Sequence, residues 1–423
     1  MCSIYGAFGQ PNLNILEKIR ERAKDRGRDG GRMERYILDW NRVAYLGNWR
    51  ATPTPEIEQG RLQPYDRVVH NGTIANAEEL GLQSGQIDSE VLPRVLDRSS
   101  LGAFAESLSK IKGSYAIAIT TDSTVYLACN YKPIYYWSRD GRTTYFSSMA
   151  RHFVDVLPRG QFPVKLTPYS ALDLSTFESV GLLPEQPKRA IVICSGGLDS
   201  TVVASKLKSD GWEICLMHFL YGCKAEDNEA KAVKAIAGAL QCPRIFSELP
   251  YGEMAGTSPL LREEDTISTA ISGAEYANEW VPARNLVFLS LAIAYAEAHG
   301  YHAVALANNL EESGSYPDNE EEFTAILNQA APYAVQNGYG MQILSPVGNL
   351  MKHEIVKLGL EVQAPLHLTW SCYRGQGRHC GECGPCFMRR EAFKRNGVED
   401  PVFDEKPSAV IPRVELGRAK VFP

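Results

Sequence analysis

From residue 188 onward, short apolar runs alternate with longer stretches of helical periodicity. Residues 191–194 are Ile-Val-Ile-Cys, an apolar and largely β-branched run that suits a strand buried on both faces. Residues 201–207 continue as a helix, 212–220 as a strand, 225–240 as a helix and 244–249 as a short strand. A long apolar helix over 285–298 leads to a strand over 302–307. A helix over 321–336 follows, which Pro332 is expected to kink or end. Residues 341–344 and 352–358 complete the series. This order predicts an α/β domain: a parallel sheet with helices on both faces, binding ligands at the carboxyl ends of its strands. Ser195, Asn308-Asn309 and Pro346 all fall at such ends.

The first half has another rhythm. A strand over 3–9 opens it, with Cys2 at its free end, and a later strand ends at Arg50. Residues 181–187 carry two prolines and a glycine and break any period. The expected domains are therefore 1–180 and 188–403, followed by a tail, 404–423, that is assigned no role. No internal repeat or low-complexity tract occurs.

Composition changes little in this picture. A hydrophobic fraction of 44% and a charged fraction of 22% are ordinary for a chain with packed cores. A net charge of −6 argues against binding nucleic acid by bulk charge, while leaving room for a local basic patch. Arg374, Arg378, Arg389, Arg390, Lys394 and Arg395 are the candidate patch, with a solvated helix face as the equal alternative. No apolar run approaches 18 residues and no leader pattern opens the chain, so the expected location is cytoplasmic, with no membrane.

Three sets of residues carry candidate chemistry. Ser195-Gly196-Gly197-Leu198-Asp199-Ser200 joins a strand to a helix start, where backbone N–H groups and the helix end favour an anion. It lacks the G-x-x-x-x-G-K-[ST] pattern of a Walker loop. Cys372, Cys380, Cys383 and Cys386 read C-x7-C-x2-C-x2-C, with Gly381, Gly384 and Pro385 permitting tight turns. Four thiolates suit tetrahedral zinc, or alternatively an iron–sulfur cluster, and leave no open position, so the role is structural. Cys2, once freed of Met1, would hold a thiol beside its own α-amine, a nucleophile with a built-in base. Arg284, at the start of the 285–298 helix, would contact a nucleotide phosphate or else serve the helix end.

The S-G-G-x-D-S loop resembles that of the ATP pyrophosphatases, which implies ATP, with Mg2+, used to activate an acid as its adenylate. Cys2, the 26–30 stretch Arg-Gly-Arg-Asp-Gly, Arg50, His70-Asn71-Gly72 and Asp88 occur in the order seen in the class II, N-terminal-nucleophile glutamine amidotransferases. Residues 112–116 and 130–135 resemble that family's later strands, and the likeness spans 2–180. It implies an α+β domain that binds glutamine and releases ammonia. Cys2 would attack the side-chain amide, Asn71 and the Gly72 N–H would hold the oxyanion, Arg50 the α-carboxylate and Asp88 the α-ammonium. Asp25 stands where that family usually has His.

The loop, residues 281–285, Tyr316-Pro317-Asp318, residues 369–374 and the cysteines resemble 7-cyano-7-deazaguanine synthases over 188–400. The fusion to an amidotransferase resembles the archaeosine synthase fusions. The resemblance places Asp318, with Tyr316, on the N–H edge of a 7-deazaguanine. Glu320 stands where the synthases usually have Arg, which is expected if the acceptor is a neutral nitrile. Cys223 replaces their usual Gln, as a nucleophile toward that nitrile or as a small buried residue. The expected activity is therefore addition of glutamine-derived ammonia to the nitrile of 7-cyano-7-deazaguanine, in tRNA or DNA, giving an archaeosine-type formamidine. The alternative is ATP-dependent synthesis of that nitrile from 7-carboxy-7-deazaguanine.

Overall fold

The structure is a computed structural model. It describes residues 2–39, 41–51, 61–269, 279–313, 315–336 and 340–403. The expected tail, 404–423, lies outside the described residues. The chain divides into two compact units. One runs to Gln186 and takes in Gln329–Met341; the other is Pro187–Asn328 with the residues from Gln342 on. The division falls inside the proline-bearing stretch, but 329–341 groups with the first unit and not, as expected, with the second.

The first unit is two antiparallel sheets. One has the order β2 (Gly30–Ile37), β3 (Val43–Arg50), β1 (Ser3–Gly9), β8 (Thr144–Ser147), β7 (Tyr135–Ser138), β9 (Val164–Lys165). The other has β11 (Ser179–Gly181), β10 (Ser170–Asp173), β6 (Val125–Cys129), β5 (Gly113–Thr120), β4 (Val68–Ile74). Strand alternation explains the layers. Ile4 and Phe8 of β1 pack with Ala116, Ala118 and Leu127 of the second sheet. Tyr5 and Ala7, on the opposite face, pack on Leu16 and Ile19 of α1 (Leu13–Ala23). Ile117 and Ile119 pack on Phe104 of α2 (Leu101–Leu108). Four layers result, and β1 is buried along its whole length.

The second unit holds a five-stranded parallel sheet, β14 (Arg244–Glu248), β13 (Glu213–Leu220), β12 (Arg189–Ile193), β15 (Ala303–Ala305), β16 (Gln342–Leu344). The helices α3 (Leu198–Ser209), α4 (Glu226–Leu240), α5 (Arg284–Ala298), α7 (Lys352–Glu361) and α8 (Gly384–Arg395) accompany it, as does α6 (Glu321–Ala334) up to residue 328, its remainder grouping with the first unit. Ala190 and Val192 of β12 pack with Val202, Val203, Ile236 and Ile355 from three of these helices. Each of the buried Val and Ile side chains contributes about 1.5–3 kcal/mol. Pro332 does not stop α6 at once: the helix runs two residues past it, to Ala334. Among the described residues, no helix is long and apolar enough to cross a membrane.

Candidate functional site

In the first unit, β1 pairs with β3 so that Ser3 faces Trp49. Cys2, partly buried, immediately precedes Ser3 at the strand's free end, and the buried Arg50 immediately follows Trp49. Asn71 and Gly72 lie on β4 in the facing sheet. The Asn48 Nδ2 of β3 donates to the His70 carbonyl at 3.1 Å, which ties the two sheets together one residue before Asn71. Asn71 is 6% exposed, and its Nδ2 has no hydrogen-bond partner among the described residues. An unmet buried donor costs about 1–3 kcal/mol, so the amide is held ready for an acceptor. Gly72 is required there, since a Cβ would lie 1.8 Å from the Ser114 carbonyl oxygen.

Asp88 is fixed from three directions. Its carboxylate accepts from the Ile74 N–H at 2.7 Å, the Ser89 N–H at 2.7 Å and the Ser89 hydroxyl at 3.1 Å. That hydroxyl also meets His70 Nδ1 at 2.8 Å. Burial pulls the His70 pKa down to about 4, so the ring is neutral. His70 and Ser89 thus couple the strand that carries Asn71 to the turn that carries Asp88. Neither was assigned a role from sequence, although each is adjacent to a residue that was. Asp25 bonds to Arg151 and lies 3.0 Å from the Nε2 of the buried His152. His152 Nδ1 meets Ser147 Oγ at 2.7 Å, and Ser147 and Ser148 bond to the backbone of Ile4. A histidine therefore stands beside position 25, supplied from elsewhere in the chain.

In the second unit, a cavity of about 200 Å³ opens at the carboxyl ends of β12, β13 and β15. Ser195, Gly197, Asp199, Ser200 and Arg284 all line it. Gly196 lies beneath, with φ +78° and room for no side chain: a Cβ would sit 2.8 Å from the Glu229 carbonyl. Lys352, from the start of α7, bonds Asp199 Oδ2 at 2.5 Å and Glu312 at 3.3 Å. Asn309 Nδ2 adds a second contact to Asp199 Oδ2 at 3.0 Å. Burial opposes the Lys352 charge, but the two carboxylates outweigh it and raise its pKa, so the ammonium persists. Asp199 Oδ1 is buried and has no partner among the described residues.

A small pocket beside the cavity holds Tyr316 and Asp318, with Glu279 and Trp280, and shares Arg284, Glu312 and Tyr373 with it. Trp280 and Tyr316 lie with ring centroids 6.0 Å apart and planes 17° apart. The Asp318 carboxylate faces Arg284 and the Asn285 N–H. Lys352, Glu312 and Trp280 went unassigned in the sequence. Lys352 did carry a signal: a lysine in the first turn of a helix opposes the macrodipole, which favours anions there.

One expectation changes, and of the two readings of Cys223 the small buried residue is the one the structure fits. Glu320 is exposed and belongs to neither pocket, so it does not face the acceptor. Cys223 is buried, 3.8 Å from Glu229, and burial drives its thiol pKa well above the ordinary value; it packs as a small core residue. Glu229 itself lines the cavity, and burial raises its pKa to about 7 against the pull of Arg284.

Cys372, Cys380, Cys383 and Cys386 converge, with all four sulfurs within 4.8 Å of one another. A tetrahedral ion at ~2.3 Å from each thiolate needs sulfurs about 3.8 Å apart, so the set can hold one metal. The basic run does not form one patch. Arg389 is buried and bonds Asp400 through two nitrogens, at 2.7 and 2.9 Å, and Arg374 pairs with Glu382.

Comparison with known proteins covers both units. Residues 189–397 match the family described as Queuosine biosynthesis protein QueC. Residues 59–155 match the Glutamine amidotransferase domain family. The chain is 41% identical to a protein named 7-cyano-7-deazaguanine synthase 2 from Sulfurisphaera tokodaii, over 95% of this chain and 99% of that one. It is also 41% identical to 7-cyano-7-deazaguanine synthase from Saccharolobus solfataricus, over 96% and 100%. A protein of the same name from Nitratiruptor is 37% identical and spans 51% of this chain and 97% of its own.

Proposed function

Because the chain belongs to the 7-cyano-7-deazaguanine synthase family, we propose that it makes the nitrile of 7-cyano-7-deazaguanine from 7-carboxy-7-deazaguanine with ATP and glutamine-derived ammonia. The observation that carries this reading is the span of the likeness: relatives named as synthases match almost end to end, through the amidotransferase half as well as the loop half. The formamidine reading drew on Glu320 as an anion facing the acceptor. With Glu320 exposed, nothing particular to this chain favours a nitrile substrate over a carboxylate one.

The chemistry fits the residues. Cys2 attacks the glutamine amide, and Asn71 Nδ2 with the Gly72 N–H receives the oxyanion. Arg50 and Asp88 hold the two ends of the amino acid. A carboxylate becomes a nitrile only if both oxygens depart, and neither departs unactivated, which accounts for the need for ATP. The phosphate loop takes the pyrophosphate end, Arg284 a phosphate or the carboxylate, and Lys352 the charge that builds up on the departing group. Asp199, whose Oδ1 has no partner among the described residues, would hold the Mg2+ that accompanies the nucleotide. Glu229, half-ionised near neutrality, takes protons shed by the incoming nitrogen. Asp318 accepts from the N–H edge of the base, and Tyr316 packs beside it. The four cysteines would hold zinc, which would clamp the segment around residues 370–386 near the loop.

The test supplies ATP, glutamine and either the 7-carboxy or the 7-cyano base. AMP release driven by the carboxylate alone supports the synthase reading. AMP-free consumption of the nitrile, with a formamidine product, replaces it.

A further inference from the structure

His218 is a polar group in the nucleotide cavity that the chemistry above leaves unused. It stands on β13, 2% exposed, and lines the cavity beside Cys194 and Phe219. Its Nδ1 lies 2.9 Å from the carbonyl oxygen of Cys194, the residue just before the phosphate loop. A carbonyl only accepts, so Nδ1 carries the proton and the tautomer is fixed. Nε2 is then a bare acceptor, and it has no partner among the described residues. Burial lowers the pKa of the ring, which keeps Nε2 unprotonated.

On its own face of the sheet the imidazole has its register partner Phe246, while Phe219, the next residue of β13, points to the opposite face. Phe246 meets the imidazole edge-on at 5.6 Å, and Phe219 stacks on Phe288 at 4.2 Å. Phosphate oxygens at neutral pH bring no proton to a bare acceptor, so the triphosphate is not its partner. The exocyclic N–H of a nucleotide base is a donor that fits this acceptor.

We infer that His218 reads the base of the nucleotide, accepting a hydrogen bond from the 6-amino group of adenine. This rests on the cavity being an ATP site. A 6-oxo purine would present lone pairs to a lone pair, so the same atom that favours ATP excludes inosine and guanosine triphosphates.

The experiment measures calorimetric binding of ATP, ITP and 2′-deoxy-ATP to the full-length protein and to its His218→Phe and His218→Gln variants, each checked by circular dichroism. The parent protein should favour ATP over ITP by about 10- to 100-fold and bind 2′-deoxy-ATP nearly as well as ATP. His218→Phe should erase the ATP/ITP ratio by weakening ATP, and His218→Gln, which restores an acceptor oxygen, should recover part of it. An unchanged ratio in His218→Phe overturns the inference, as does a parent protein that discriminates against the missing 2′-hydroxyl and not the 6-oxo group. If His218→Phe does not fold, a ratio in His218→Gln that differs from the parent's supports the inference, and an identical ratio overturns it. A parent protein that binds no ATP overturns the ATP reading itself, and this inference with it.

Discussion

Glu229 is a carboxyl whose charge the fold discourages, and that has a measurable sign. Burial raises its pKa from the ordinary 4.5 to about 7, so between these values the folded chain holds a proton that the unfolded chain has lost. Stability therefore falls as pH rises through that window and levels off above it. Chemical denaturation of Glu229→Gln against the parent across pH 4–8 should show the parent alone losing ~3 kcal/mol from this residue. Equal slopes would contradict the assignment. Asn71→Ala removes the unpartnered donor and should lower glutaminase kcat by about 10²–10³-fold, with KM much less affected. At this scale the sequence was informative where a motif names a residue. Cys2, Arg50, Asn71, Asp88 and the loop could be proposed because their types and order are distinctive. His70, Ser89 and Lys352 act through partners 19, 19 and 153 positions away respectively, and such pairings exist only after folding.

Elements were legible in proportion to their periodicity. The strand over 3–9 and the β/α alternation of the second half emerge close to the expected bounds, because buried strands and amphipathic helices must repeat. Helix α6 was harder to bound, since Pro332 sits in its last turn, where few backbone bonds remain to be lost. The tie between the cysteine segment and the phosphate loop could not be read at all. Trp370, two residues before Cys372, donates its N–H to the Gly196 carbonyl at 2.8 Å. Metal removal should therefore loosen the loop as well as the cysteine segment. Chelation, or Cys383→Ser, is expected to lower both the thermal midpoint and ATP affinity, by scanning calorimetry and titration; undisturbed ATP binding in metal-free protein would count against the clamp. Gly196→Ala forces a side chain into a left-handed position that also lacks space, and should cost about 1–3 kcal/mol.

For the whole molecule, two chemistries share one chain, and the account requires nitrogen released in the first unit to be incorporated in the second. Cys2→Ala should lose glutamine-dependent synthesis while still accepting ammonium salts, because the acceptor unit keeps every residue of its own site. The expectation of two domains followed from one break in periodicity at 181–187, while the inclusion of 329–341 in the first unit depends on tertiary contacts that no local pattern records. The most direct test follows heavy nitrogen. Protein supplied with glutamine labelled at the side-chain amide, ATP and 7-carboxy-7-deazaguanine should yield a nitrile carrying the label, with AMP formed alongside, by mass spectrometry. Labelled glutamine that is hydrolysed while the carboxylate base stays unchanged, or label that appears only in a formamidine made from added nitrile, would contradict the account.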